Sequence, residues 1–151
     1  MLQKRLQLKH PTEDDPWSLI LYTDEVTPGN ALATQTSRKV YAIYYSFKEM
    51  GAAALACEDV WFCLATIRST LVDALQDGGV AQIVAKLLCW FFPAEGDNLM
   101  TTGMHLQREG CPSVRLFAKL AIVVQDGAAH KELWSCRDGT RLCMSCFYCH
   151  R

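Results

Sequence analysis

The chain has 151 residues, 15 Lys plus Arg against 16 Asp plus Glu, and a formal charge of −1. That length predicts one domain, able to bury roughly two thirds of the surface its unfolded form exposes. Half of the residues are apolar and 21% are charged, which excludes a disordered chain and a pan-basic nucleic-acid binder.

Residues 1–16 read as an N-terminal arm. The opening MLQKRLQLKH lacks the apolar stretch of a secretory signal. No run in the chain approaches ~18 apolar residues, so no membrane span is expected. An intracellular address follows as the working expectation. Pro11 and Pro16 flank Glu13, Asp14 and Asp15 and break any helix before Trp17.

Residues 18–23 (SLILYT) are β-prone and apolar, and predict a buried strand ending at Asp24 and Glu25. Residues 27–37, with Pro28, Gly29 and Asn30, predict a loop. Residues 39–47 predict a second strand, and the Ala-rich 50–57 a connection. Residues 58–67 predict a third strand, apolar on both faces as a covered central strand would be, although the same run is compatible with a helix. From Ser69 the apolar spacing turns helical through Leu71, Val72 and Leu75, then through Ile83, Val84, Leu87, Leu88 and Phe91. Gly78 and Gly79 between the two runs predict a kink or a break. Residues 93–97 stop the helix. Residues 98–107 and 113–125 predict two strands joined by a turn, and 127–134 a short helix. The order β-β-β-α-β-β-α makes an α/β domain with a mixed sheet over 17–134. A Cys-rich segment follows at 135–151.

Two residue groups carry chemistry. Asp24 and Asp126 each follow an apolar β-prone run, and strand ends in open α/β sheets border the usual ligand crevice. Paired carboxylates there suit Mg²⁺ or Mn²⁺, and paired metals serve in-line phosphoryl transfer. The plain alternative is a turn residue at Asp24 and a helix cap at Asp126. In the second group, Cys143 and Cys146 form a C-x-x-C half-site for Zn²⁺, with Cys136, Cys149 or His150 available to complete four ligands. Buried or unliganded thiols are the alternative. Residues 146–150 also match the c-type haem string, but no export signal accompanies it. Cys63 and Cys89 sit in apolar runs and are expected in the core. His130 falls four residues after Asp126, within reach of the carboxylate site on a helix, with a surface or capping histidine as the plain alternative. Arg38, Lys39, Arg108, Arg115 and Arg137 are isolated basic residues. No P-loop, G-x-G-x-x-G or nucleophile elbow occurs.

Residues 21–25 (LYTDE) and 40–45 (VYAIYY), together with 114–134 (VRLFAKLAIVVQDGAAHKELW) and the trailing Cys143-x-x-Cys146, resemble the catalytic core of eukaryotic DDE transposases. The likeness is to the Plavaka and Kyakuja-Dileera-Zisupton groups, related to CACTA elements, and covers about residues 17–146. The resemblance implies a ribonuclease H-like fold. It makes Asp24 and Asp126 the first two catalytic acids, binding Mg²⁺ or Mn²⁺ for DNA strand cleavage and transfer, in a protein with a nuclear address. Cys143 and Cys146 would belong to a small insertion after the second acid. The family's third acid has no counterpart, because no acid follows Asp138. The expectation is therefore a C-terminally incomplete core, inactive alone, whose full-length ancestor acted on DNA. The competing expectation is a non-enzymatic α/β module whose C-terminal zinc knuckle binds protein or nucleic acid.

Overall fold

The structure is a computed structural model that describes residues 5–6, 9–27, 39–75, 79–107, 109–110 and 113–125. The chain forms an α/β arrangement around a mixed sheet. Strand β1 (Trp17–Val26) is followed by β2 (Val40–Phe47), a short helix α1 (Ala52–Leu55) and β3 (Phe62–Arg68). Helices α2 (Ser69–Asp73) and α3 (Gly79–Phe91) come next, then the strands β4 (Met104–Leu106), β5 (Val114–Leu116) and β6 (Ala118–Val124). The four-stranded sheet has the order β3-β2-β1-β6, and β4 and β5 pair separately as a hairpin.

Strand β1 lies antiparallel to β2 and parallel to β6, and β2 lies antiparallel to β3. Parallel neighbours need a long crossover, which residues 27–117 supply. The β1–β6 register shifts by one residue: Leu19 pairs with Leu120, but Ile20 pairs with Ile122. Trp17 opens the pairing by donating its backbone N–H to the Phe117 carbonyl at 2.9 Å.

Alternation gives β1 two faces. Trp17, Leu19 and Leu21 are buried with Ile43 and Phe47 of β2. Helix α3 covers this face with Val80, Val84 and Leu87, a spacing that places all three on one helical stripe. Leu6, Met50, Val60 and Val72 complete the core. The N-terminal arm is tied to it, since the Trp17 indole N–H donates to the Lys9 carbonyl at 3.1 Å.

The expected strand over 98–107 is shorter and begins at Met104. Asn98 is the cause. Its Oδ1 accepts the Met100 N–H at 2.8 Å and its Nδ2 donates to the Pro93 carbonyl at 2.9 Å. Such side-chain bonds compete with a strand ladder and favour a turn. The turn closes at Gly103, with φ +70°, where an added Cβ would lie 2.8 Å from Arg115 Cγ. Leu99, buried within this turn, donates its N–H to Phe91 and accepts from the Ala118 N–H. The end of α3 is thereby joined to the start of β6.

Two expectations are corrected. The third strand begins at Phe62, because residues 58–60 make a 3-10 turn, and among the described residues it is a sheet edge rather than a covered centre. Cys63 and Cys89 are exposed, not core. Cys63 pairs with Tyr44 on the sheet face away from α3, and Cys89 lies off the Val80–Val84–Leu87 stripe. Apolar neighbours in sequence did not translate into burial because both elements present a second side. The expected break between the helical runs is present as separate α2 and α3. The helix expected over 127–134 lies outside the described residues. Among those residues no helix is long and apolar enough to cross a membrane.

Trp17 is fully buried and meets Phe47 edge-to-face at 5.5 Å between ring centroids. Trp17→Ala is expected to cost about 3–5 kcal/mol. Trp90→Ala removes a ring that is 68% exposed and is expected to cost less than about 0.5 kcal/mol. Urea midpoints of the two variants check the contrast.

Candidate functional site

Asp24 stands inside β1, opposite Ala42, and the strand continues to Val26. This corrects the expected strand end at Asp24. The reason lies in β2, which runs alongside as far as Val40, and in Glu25, whose side chain is held. Lys39 Nζ donates to Glu25 Oε2 at 2.7 Å and Ser69 Oγ donates to Oε1 at 2.8 Å. Glu25 thus ties β1 to the residue before β2 and to the start of α2.

Asp24 belongs to the opposite side of the strand. Its Oδ2 accepts the Tyr22 hydroxyl at 3.0 Å, a contact that the period of two makes available between residues i and i+2. Tyr22 in turn stacks on its cross-strand partner Tyr44, with centroids 6.2 Å apart and ring planes 25° apart. The Trp61 ring stands steeply against Tyr22, at 6.0 Å and 62°. The Trp61 indole N–H donates to the Leu55 carbonyl at 3.0 Å, which anchors the ring. These three aromatic residues, with Asp24, Glu58 and Val124, line a depression of about 690 Å³.

Asp24 has no ion-pair partner among the described residues. A half-buried carboxylate with one hydroxyl donor fits the role of an oxygen ligand for a hard cation. Among the described residues, no group of three His, Cys, Asp or Glu converges on a point that could hold a metal. Asp126 lies outside the described residues, as do Cys136, Cys143, Cys146, Cys149, His150 and His130. Strand β6 reaches the site beside β1: Tyr22 pairs with Val124, and Gln125 Nε2 donates to Thr23 Oγ1 at 2.8 Å. Of the isolated basic residues, Lys39 is committed to Glu25. Arg115 lines a different depression, of about 430 Å³, with Trp90 and His105.

Tyr22, Tyr44, Glu58 and Trp61 are site residues that the sequence reading passed over. Tyr22-x-Asp24 carried a signal, since the spacing of two places both on one strand face. Tyr44 becomes visible only through the β1–β2 register, and Glu58 and Trp61 only once the turn before β3 is known. Compared with protein-family models, with curated proteins and with solved structures, the chain finds no match.

The Lys39 hydrogen bond holds the Glu25 carboxyl below its ordinary value of 4.5, helped by the Ser69 hydroxyl and opposed by partial burial. A depressed carboxylate stabilises the fold fully above its unfolded value and ceases to do so as pH falls through the lowered folded value. Glu25→Gln is therefore expected to lower stability at pH 7 by no more than about 1 kcal/mol, since the pair is partly solvated. The difference from the parent should vanish as pH falls below about 4.5. Denaturant melts across that range test the sign.

Proposed function

We propose that the chain is derived from the ribonuclease H-like catalytic core of a DDE transposase. In this reading Asp24 and Asp126 together hold Mg²⁺ or Mn²⁺, and the ancestral reaction is DNA strand cleavage and transfer. One observation carries it: the strands that lead to the two aspartates are β1 and β6, which are parallel neighbours in a mixed sheet. By sequence count, Asp24 and Asp126 each come two residues after Tyr22 and Val124, which pair with each other across β1 and β6. The one-residue shift between Leu19 and Ile20 matters to this count. Without it Tyr22 would stand opposite Val123, and the residue matching Asp24 by number would be Gln125.

Two supports are chemical. Asp24 is an acceptor-only carboxylate with one hydrogen-bond donor and no ion pair among the described residues, and carboxylate oxygens are the ligands that hard divalent ions select. The carboxyl end of a parallel strand pair is also where α/β sheets place ligands. A bound ion would polarise a phosphoryl oxygen and lower the pKa of a bound water. The Tyr22 hydroxyl, fixed on Asp24 Oδ2, restricts the carboxylate's rotation and so directs the remaining lone pairs. Cation binding by Asp24 and Asp126 is the core of this reading, and binding is what its test measures.

Mn²⁺ titration followed by calorimetry tests the reading. Asp24→Asn and Asp126→Asn are each expected to weaken binding at least about tenfold, while Asp73→Asn, at an exposed position of α2, leaves it unchanged. Mn²⁺ affinity equal in all three variants would overturn the proposal.

A further inference from the structure

We propose that the depression beside Asp24 is a binding site for a quaternary ammonium group. Its wall is aromatic on two sides. Tyr22 and Tyr44 lie nearly face to face, and Trp61 stands at a steep angle to Tyr22 with centroids 6.0 Å apart. Asp24 and Glu58 in its lining supply negative charge, and Val26 and Val124 apolar surface. No Lys or Arg is among the described residues that line it. A cation within about 6 Å of such ring centroids is attracted by the ring quadrupoles, and carboxylates nearby add to the attraction.

Each alternative occupant meets an obstacle in the same residues. A phosphate or other anion would face two carboxylates with no basic residue among the described lining. A neutral apolar ligand would have to strip water from those carboxylates without repaying them. A small, strongly hydrated ammonium would gain less from the rings than a quaternary one, whose charge is spread over methyl groups that touch the ring faces. The rings are also held in advance. Trp61 is tied to the Leu55 carbonyl and Tyr22 to Asp24, so little side-chain freedom is lost on binding. The volume, about 690 Å³, leaves room for the chain that carries the ammonium head.

This inference does not rest on the metal reading, and its test is run in EDTA so that the two fail separately. The probe is choline, set against its carbon isostere 3,3-dimethylbutan-1-ol, which has the same shape and no charge. The readout is the Trp61 indole N–H resonance, identified as the one missing from Trp61→Phe. Choline is expected to shift this resonance saturably and to bind about two- to thirtyfold more tightly than the isostere. Tyr44→Leu and Glu58→Gln keep the reporter and are each expected to weaken choline severalfold. The inference is overturned if the isostere binds as well as choline, if neither shifts Trp61, or if both variants bind choline like the parent.

Discussion

The parallel pairing of β1 with β6 is the constraint on which the rest of the molecule depends. It joins residues about one hundred positions apart, and such long closure must be stabilised by whatever fills the crossover. Here the filling is α3, whose stripe of Val80, Val84 and Leu87 covers the helix face of β1. The hand-over from helix to strand is a chain of backbone bonds. Phe91 accepts from Leu99, Leu99 accepts from Ala118, and Phe117 accepts from Trp17. Each bond satisfies a polar group at the boundary of a core that would otherwise leave it orphaned. Trp17 closes the sequence by filling the core with its ring while its indole N–H reaches the N-terminal arm.

A single strand then serves two purposes through its pleat. Leu19 and Leu21 face the helix and supply stability. Tyr22 and Asp24 face away, one residue out of phase, and line the candidate site. Glu25 returns to the helix side, where Ser69 and Lys39 hold it. The adjacent acids Asp24 and Glu25 are therefore not equivalent. Glu25 is a fastener at the junction of three elements, and Asp24 is the carboxylate that no basic residue neutralises among those described. A strand can separate such roles in neighbouring positions only because its side chains alternate.

The legible parts of the fold were those written in local patterns. Residues 39–47 read as a strand from their β-branched and aromatic content, and the glycine pair after Asp77 marked the division of α2 from α3. The turn at Asn98 was less visible, because its cause is a side chain bonding to backbone rather than a loss of apolar character. Cys63 and Cys89 were misplaced for another reason: an apolar run shows that an element packs, not which of its sides packs. The site divided in the same way. Asp24 stood out by charge at the end of an apolar run, but its companions Tyr44, Glu58 and Trp61 are brought in by register and by a turn. Such pairings depend on contacts distant in sequence, which no window along the chain contains.

The two proposals place positive charge at the same carboxylate, and the physics of the pocket makes that coherent. Asp24 and Glu58 without a cation repel a phosphate backbone, and the chain's overall charge of −1 offers no compensating field. A divalent ion held by Asp24 reverses the local sign, because a bound ion is the largest charge in its own neighbourhood. The aromatic walls respond differently. They stabilise a diffuse organic cation through their faces and do nothing for a divalent ion that binds through oxygen. In the two proposals a depression with both elements favours cations, its rings taking an organic cation and its carboxylates a divalent one. The balance is set by Tyr22, which lends its ring to the aromatic wall and its hydroxyl to Asp24.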